Sequence, residues 1–272
     1  MYIDVENNVY KAILGRMTIK DRQFLIRVFK NGIQRYVERI INIGFVGQDT
    51  KVLDAGCGFG QWSLALSQHN SFVQSIEYQA DRVEFVRLLI KEMKISNMHI
   101  VQGNIEDMTA DFKQEQFDYV FCYSVIYFTD WRKALSELIR VTKKGGCIYI
   151  CANDVGWYYH LIKEEPNKTS GYNPIEHGIS AFVNEYRYEI LGEKFHGDRV
   201  VRLSMLLEEI AKYKECFLEI YSSEGKIFKE QNITSGSCVS RGGGYCIGEN
   251  IGFFDGSYFG YPGVYELIIR KI

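Results

Sequence analysis

The chain has 272 residues, of which 46% are hydrophobic and 24% are charged. That length can bury a full core, and it fits one large domain or one domain with a cap. The formal net charge of −2 provides no field that would attract a polyanion, and no local basic patch stands out, so we expect no nucleic-acid partner. No apolar run approaches the ~20 residues that span a bilayer, and no leader pattern opens the chain. These features predict a cytoplasmic protein without a membrane partner.

Seven cysteines are scattered along the chain, mostly inside apolar segments. No pair has metal-ligand spacing with histidines nearby, so the sequence predicts reduced core thiols and no metal site.

The first predicted elements lie in a basic, amphipathic region at 21–43. Its apolar positions recur at helical spacing, and Gly44 is a suitable stop signal. We therefore expect one or two helices here, and residues 1–48 are predicted to form an N-terminal helical cap.

Strand and helix signals then alternate, as in a parallel sheet with crossover helices. The predicted strands are 51–53, 72–77, 99–102, 117–123 and 147–152, and the predicted helices are 60–68, 79–93 and 131–141. Residues 143–146 (KKGG) are predicted to form the turn into the fifth strand. Residues 49–154 are thus predicted to form a Rossmann-like core, whose ligand crevice lies at the carboxyl ends of its strands.

Downstream, residues 155–198 carry helical signals at 156–165 and 179–191, where a minimal sheet needs only a short link. We interpret them as a helical lid over the carboxyl ends of the strands. A helix at 199–214, a strand at 216–221, a glycine- and aromatic-rich loop at 222–262 and a strand at 264–270 complete the core. The predicted fold class is α/β, a Rossmann-like doubly wound seven-stranded sheet with helical cap insertions.

The most informative motif is residues 52–63 (VLDAGCGFGQWS), in which an apolar strand leads to an acidic residue and three glycines. Glycine allows positive φ and a close approach of the backbone to a ligand. The free N–H groups at the start of the following helix favour a polar or anionic group. The motif therefore predicts a site for a ribose or a carboxylate.

Glu77 ends the second predicted strand, 23 residues after Asp54, as one strand-helix-strand unit requires. A carboxylate there accepts hydrogen bonds from both ribose hydroxyls. A nicotinamide dinucleotide needs glycines spaced G-x-G-x-x-G for its pyrophosphate, whereas this chain has G-x-G-x-G after an acid. Since Asp54 would repel a pyrophosphate, the pattern favours a different nucleoside-containing cofactor.

Several segments, in order, resemble those of class I S-adenosylmethionine (SAM)-dependent methyltransferases. The resemblance covers residues 50–152 and includes the glycine motif, Glu77, the segment 103–107 (GNIED), the fourth strand with its following loop, and 134–146 (ALSELIRVTKKGG). The family usually has proline where Lys144 stands.

The resemblance implies a SAM site at the glycine motif, with Glu77 on the ribose and Asn104 beside adenine. Asn104 also suits a simple turn, so both roles stay open. The cofactor-binding residues implied in this way are Asp54, Ala55, Gly56, Gly58, Gly60, Gln61, Trp62, Glu77, Tyr78, Asn104, Ile105 and Tyr123.

Methyl transfer needs alignment of the reactants, and it needs a base only if the acceptor must lose a proton. Tyr127, just past the fourth strand, and His160, just past the fifth, are the catalytic candidates; His177 and His196 are weaker ones. Aromatic residues in the lid and the long loop either line an acceptor pocket or pack in the core. The acceptor-binding candidates are Tyr127, Trp157, Tyr158, Arg241 and Tyr245.

The resemblance thus implies transfer of a methyl group from SAM to an oxygen or nitrogen atom of a small molecule, with S-adenosylhomocysteine as the second product. The Asn-Pro-Pro-aromatic motif for base or amide amines is missing, because residues 122–125 read CYSV. An RNA or protein methyltransferase and a SAM-binding regulatory protein without turnover are the alternatives.

Overall fold

A computed structural model describes residues 3–5, 7–193, 197–214 and 263–272, together with the backbone of 216–221, 227–228, 257–258 and 261–262. Three helices precede the first strand: α1 (Lys11–Arg16), α2 (Ile19–Phe29) and α3 (Gln34–Asn42). Thr18 caps α2 by accepting a hydrogen bond from the Asp21 N–H. The sequence pattern at 21–43 is therefore divided between two helices.

The core alternates strands and helices as predicted. In chain order these are β1 (Gly47–Ala55), α4 (Gln61–Ser67), β2 (Asn70–Glu77), α5 (Ala80–Glu92), β3 (Met98–Gln102), β4 (Phe117–Tyr123), α6 (Trp131–Val141) and β5 (Thr142–Asn153).

After β5 come two helices of the predicted lid and then the remaining elements. They are α7 (Val155–Glu164), α8 (Pro174–Glu189), α9 (Leu203–Ile210), β6 (Cys216–Tyr221), β7 (Ile227–Phe228), β8 (Ser257–Tyr258), β9 (Tyr261–Pro262) and β10 (Val264–Lys271).

The described strands form one large sheet in the order β3-β2-β1-β4-β5-β10-β6-β7, and β8 pairs with β9 separately. The strands β1 to β5 are parallel, whereas β10 runs antiparallel between β5 and β6. This is the predicted Rossmann-like doubly wound α/β fold. The sheet has one strand more than the seven predicted, because the two-residue β7 pairs with the edge of β6.

Helices cover both faces of the sheet. Because neighbouring residues in a strand point to opposite faces, they belong to different layers. Val52, Phe121 and Tyr149 belong to the layer covered by α1 to α5. Their successors Leu53, Cys122 and Ile150 belong to the opposite layer, with α6 and α9. The crevice at the carboxyl ends of β1 to β5 is thus supported from both sides.

The prediction of a turn at 143–146 before the fifth strand is wrong, because these residues lie inside β5. The strand bulges there: Phe117 pairs with Thr142, while Tyr119 pairs with Cys147. Gly145 has φ +77°, and a Cβ on Gly146 would lie 2.7 Å from the Asp118 carbonyl oxygen. The glycines therefore let a continuous strand absorb the extra residues.

The helix predicted at 199–214 is shorter than expected and spans Leu203–Ile210. Its start is fixed by Asp154, whose carboxylate accepts the Leu203 N–H at 3.0 Å. The residues just before it are extended, and the Arg199 N–H donates to the Tyr127 carbonyl oxygen at 3.1 Å. Within the described part of the chain, no helix is long and apolar enough to traverse a bilayer.

Candidate active site

The glycine turn joins β1 to α4 at the carboxyl edge of the sheet. Gly56, Gly58 and Gly60 all have positive φ, at +80°, +58° and +81°. A Cβ on Gly56 would lie 2.5 Å from the side chain of Val125, whereas one on Gly58 would meet nothing within 4 Å. Gly56 is thus needed for packing, and Gly58 presents its backbone to open space.

Glu77 connects this turn to the end of β2. Its buried carboxylate accepts the N–H of Gly58 and the N–H of Gln79, each at 3.0 Å. A carboxylate has about four lone-pair positions, so these two bonds leave capacity for hydroxyl donors. The predicted ribose-binding residue therefore lies against the glycine turn.

Asp54 lies beneath the turn and is almost fully buried. Ser63 of α4 donates to its Oδ2 at 2.6 Å, and Ser75 of β2 donates to the Ser63 hydroxyl at 2.9 Å. Burial raises the pKa of Asp54 to about 7, and the nearby charge of Glu77 acts in the same direction. Asp54 therefore braces β1, α4 and β2, and its charge is sensitive to pH near neutrality.

An open cleft of about 550 Å³ adjoins Glu77 at the carboxyl ends of β2 and β3. It is lined by Tyr78, Gln79, Ala80, Asp81, Gln102, Gly103 and Asn104. Tyr78 is 62% exposed, whereas Ile105 is buried in the core below. The structure thus places two of the predicted adenosine-site residues, Tyr78 and Asn104, around one cleft.

Asn104 also forms the turn that its residue type favours. Its Oδ1 accepts the Glu106 N–H at 3.0 Å, and it is bridged to Asp107. That bond uses the amide oxygen and leaves the amide nitrogen available for a ligand.

The start of α4 supplies polar atoms that fit a ligand. Among the described residues, Gln61 Oε1 and Trp62 Nε1 are buried and have no hydrogen-bond partner. Buried polar groups normally have partners, so an additional polar group fits beside this helix. The ring of Trp62 also packs at a tilt against that of Tyr123, with ring centroids 4.6 Å apart. The residues present therefore suit a cofactor with polar groups next to the glycine turn.

Tyr127 lies in the short helical turn after β4 and is buried. Burial raises the pKa of its phenol well above the ordinary value, with the charge of Asp198 acting in the same direction and with Ser124 and Asn153 as hydrogen-bond neighbours. A phenol that stays protonated donates hydrogen bonds and does not accept a proton. Tyr127 therefore suits a donor role better than that of a base.

The lid candidates differ in their surroundings. Tyr158 is fully buried, and its hydroxyl lies 2.9 Å from both Asp198 Oδ1 and the Arg199 carbonyl oxygen. The side chain of this acceptor-binding candidate ties α7 to the segment before α9. His160 lies on α7 with its ring 5.6 Å from that of Trp157, and burial lowers its pKa.

The histidine that acquires a carboxylate partner is His177, at the start of α8. Its Nε2 lies 2.6 Å from Oδ2 of Asp198. No sequence pattern predicts this pair, because the two residues are 21 positions apart and Asp198 lies outside α8.

Three other candidates, Arg241, Tyr245 and His196, lie outside the described residues, as does most of the 222–262 loop. Within the described ranges, no group of three histidine, cysteine or acidic side chains is arranged to hold a metal ion. Cys122 is a core thiol whose pKa is raised by burial.

An open doubly wound sheet, a glycine turn after its first strand and a carboxylate ending the second strand are features of Rossmann-like nucleotide-binding folds, and class I methyltransferases share them. Consistent with this, the family described as "Methyltransferase domain" matches residues 47–203, which is more than half of the chain. The chain therefore belongs to this methyltransferase-domain family.

The chain is 32% identical over 97 residues to the uncharacterized methyltransferase YcgJ of Bacillus subtilis (strain 168), covering 35% of this chain and 38% of that protein. It is 26% identical over 145 residues to a demethylmenaquinone methyltransferase of Listeria welshimeri, covering 52% of this chain and 60% of that protein. The matches thus span less than two thirds of either relative. The structure of PH0226 from Pyrococcus horikoshii OT3 matches with a TM-score of 0.59 at 16% identity, covering 94% of this chain and all of that one, which supports the fold.

Proposed function

We propose that the protein is a SAM-dependent methyltransferase that transfers a methyl group to an oxygen or nitrogen atom of a small molecule. The observation that carries the proposal is the hydrogen bond from the Gly58 N–H to Glu77, which joins the glycine turn to the 550 Å³ cleft. A ligand with a ribose between an amino-acid moiety and a base would contact all three parts.

The chain's own residues would divide the cofactor between them. Glu77 accepts from the ribose hydroxyls, Asn104 and Tyr78 flank the base, and the backbone at Gly58 with Gln61 faces the amino-acid moiety. When bound, SAM supplies a methyl group already activated by its sulfonium. The protein then has to align the acceptor and exclude water.

Two observations favour a small-molecule acceptor. The Listeria relatives carry the name demethylmenaquinone methyltransferase, so their named acceptor is a small molecule. The chain's net charge of −2 offers no general attraction to RNA. We therefore propose that the acceptor binds between the carboxyl ends of the strands and a cap formed by the N-terminal helices together with α7 and α8.

The test is production of S-adenosylhomocysteine from SAM by the purified protein, measured against a metabolite panel. We expect turnover with at least one small molecule. Tight SAM binding without S-adenosylhomocysteine would support the non-catalytic alternative. Salt-dependent binding of RNA in a gel-shift assay, with turnover only on RNA, would support the RNA alternative. Absence of SAM binding would contradict the proposal altogether.

A further inference from the structure

The His177–Asp198 pair has the geometry of a base and its orienting carboxylate. Nε2 and Oδ2 are 2.6 Å apart, and the His177 side chain is 27% exposed while that of Asp198 is 8% exposed. Because a carboxylate only accepts hydrogen bonds, Nε2 carries the hydrogen and Nδ1 keeps its lone pair in the neutral ring. The imidazole is therefore held in one tautomer with one nitrogen able to accept a proton.

Asp198 is itself fixed from two other elements. The Tyr158 hydroxyl of α7 lies 2.9 Å from its Oδ1, and the Asn184 amide of α8 donates to its carbonyl oxygen at 2.8 Å. Burial and the charge of Asp198 raise the pKa of Tyr158 well above its ordinary value, so this phenol remains a donor. The carboxylate is thus oriented towards His177 by bonds that do not depend on a ligand.

The backbone of α8 is also held in place at the position of His177. A Cβ on Gly178 would lie 2.9 Å from the Tyr158 carbonyl oxygen, so the first turn of α8 packs closely on α7. Asn173 caps this turn by accepting the Glu176 N–H. Both partners of the pair are therefore preorganised.

The pair lies on the acceptor side of the crevice. The residue after Asp198 donates its N–H to the Tyr127 carbonyl oxygen at 3.1 Å, and the charge of Asp198 reaches the Tyr127 phenol. Tyr127 follows β4, which is hydrogen-bonded to β1 beside the glycine turn. Asp198 is thus tied, through its neighbour Arg199, to the segment that follows β4 at the carboxyl edge of the sheet.

Tyr172 links the His177 side chain to the N-terminal helix α2. The Tyr172 ring lies 5.6 Å from the His177 ring, and the Lys20 ammonium of α2 lies 5.6 Å from the Tyr172 ring centre. An aromatic ring therefore borders the partly exposed imidazole, as in a site for a planar ring.

We propose that His177 is the general base that takes the proton from the methyl acceptor, with Asp198 and Tyr158 as positioning residues, and that the acceptor is a phenolic or enolic hydroxyl. The inference rests on the proposed methyltransferase function and deepens it. A hydroxyl is a poor nucleophile until its proton is removed, whereas an unprotonated amine already has the lone pair it needs. A preorganised base is therefore useful chiefly for an oxygen acceptor.

The step balances without a further reactant. The acceptor O–H proton passes to Nδ1 of His177 as the oxygen–carbon bond forms, and the electron pair of the breaking carbon–sulfur bond stays on sulfur. Asp198 stabilises the resulting imidazolium through Nε2–H. The partly exposed ring then returns its proton to solvent.

The first readouts need no acceptor. Long-range ¹H–¹⁵N spectra of the wild type should give a His177 ring with hydrogen on Nε2 and none on Nδ1, and Asp198→Asn should lose this single tautomer. Calorimetry should give the same S-adenosylhomocysteine affinity, within about twofold, for wild type and His177→Gln, because the glutamine amide can still donate to Asp198. A wild-type ring with hydrogen on Nδ1 would overturn the inference.

The second readout is methyl transfer from radiolabelled SAM to phenol, naphthol and hydroxynaphthoquinone, each compared with aniline and naphthylamine. We expect transfer to a hydroxyl compound and a loss of ~100-fold or more in kcat for His177→Gln. His99→Gln is the matched control, because His99 is exposed and its ring stacks on that of Phe72 at the far end of β2 and β3. Transfer to amines alone, or full activity of His177→Gln, contradicts the base. Absence of all transfer by the wild type contradicts the proposed function as well.

The pH profile separates a base from a structural residue. The kcat of His177→Gln should depend on pH differently from that of the wild type, because without the base the reaction needs the phenol to ionise by itself. Among the described residues, Asp198 contacts His177 directly, Tyr172 lies beside its ring, Tyr158 bonds to Asp198, and Lys20 and Arg27 of α2 lie near Tyr172. An identical pH dependence in the two proteins would assign it to one of these other groups and overturn the proposal.

Discussion

The two halves of the candidate site are built differently. The cofactor half consists of a glycine turn, a strand-end carboxylate and a cleft between neighbouring loops, so its parts lie close in sequence or in strand register. The acceptor half depends on side chains from separate elements, such as His177 with Asp198 and Lys20 with Tyr172. The first kind of site leaves a pattern in the sequence, and the second becomes visible only after folding.

The largest effect is expected where the N-terminal helices are joined to the sheet. Arg39 of α3 forms an ion pair with Glu266 of β10, and their side chains are only 10% and 7% exposed. Glu266→Ala leaves a buried guanidinium unpaired, so we expect the free energy of unfolding to fall by about 3–5 kcal/mol in urea.

Two controls sharpen this prediction. Arg39→Met with Glu266→Met removes both charges and should recover most of the loss. Glu84→Ala, in the exposed pair with Arg16, should change stability by less than about 1 kcal/mol. If Glu266→Ala costs as little as Glu84→Ala, the buried pair does not hold the helices to the sheet.

Asp54 should make stability depend on pH in the cofactor half. Its pKa is about 7 in the folded protein against an ordinary value of 3.8, so the folded state binds the extra proton between these values. The associated stability is complete below about pH 4 and is lost as the pH rises through 7, by at most ~4 kcal/mol. Urea unfolding from pH 4.5 to 8 should therefore show a decline for the wild type, and a smaller one for Asp54→Asn. Parallel curves would mean that Asp54 is already ionised in the folded state.

The residues of the cofactor half could be predicted from the sequence, because this half is built from a glycine turn and a carboxylate at the end of a strand. Both leave a recognisable pattern of residue types at fixed spacing. Gly58 and Glu77 sit where a strand-helix-strand unit requires them, and the class of sheet follows from the alternation of elements. Two predicted boundaries are wrong because they depend on tertiary contacts: residues 143–146 lie inside β5, which bulges against β4, and the helix expected from 199 begins at Leu203, whose N–H bonds to Asp154. The acceptor half was less predictable, because the contacts of Asp198 with His177 and Tyr158 join residues that are far apart in the chain.

A matched pair of glycines separates backbone strain from ligand contact. Gly58 and Gly145 have φ of +58° and +77°, and a Cβ on either meets nothing within 4 Å. Each Gly→Ala change should cost roughly 1–2 kcal/mol of stability through strain. Only Gly58→Ala should also weaken SAM binding, by about tenfold in Kd, because its methyl group enters the cofactor's space. Equal SAM affinity in the two variants would place the amino-acid moiety elsewhere.

Glu77 and the glycine turn are expected to bind SAM, and calorimetric titration of SAM into the wild type and Glu77→Ala measures whether they do. Charged hydrogen bonds contribute ~1.5–3 kcal/mol each, so loss of the two ribose bonds should weaken binding by about 100-fold or more. Glu77→Gln keeps an acceptor for the Gly58 N–H and controls for collapse of the turn, and Glu84→Ala controls for loss of charge. We expect one SAM site in the wild type, much weaker binding in Glu77→Ala and an intermediate affinity in Glu77→Gln. Unchanged affinity in Glu77→Ala would contradict it.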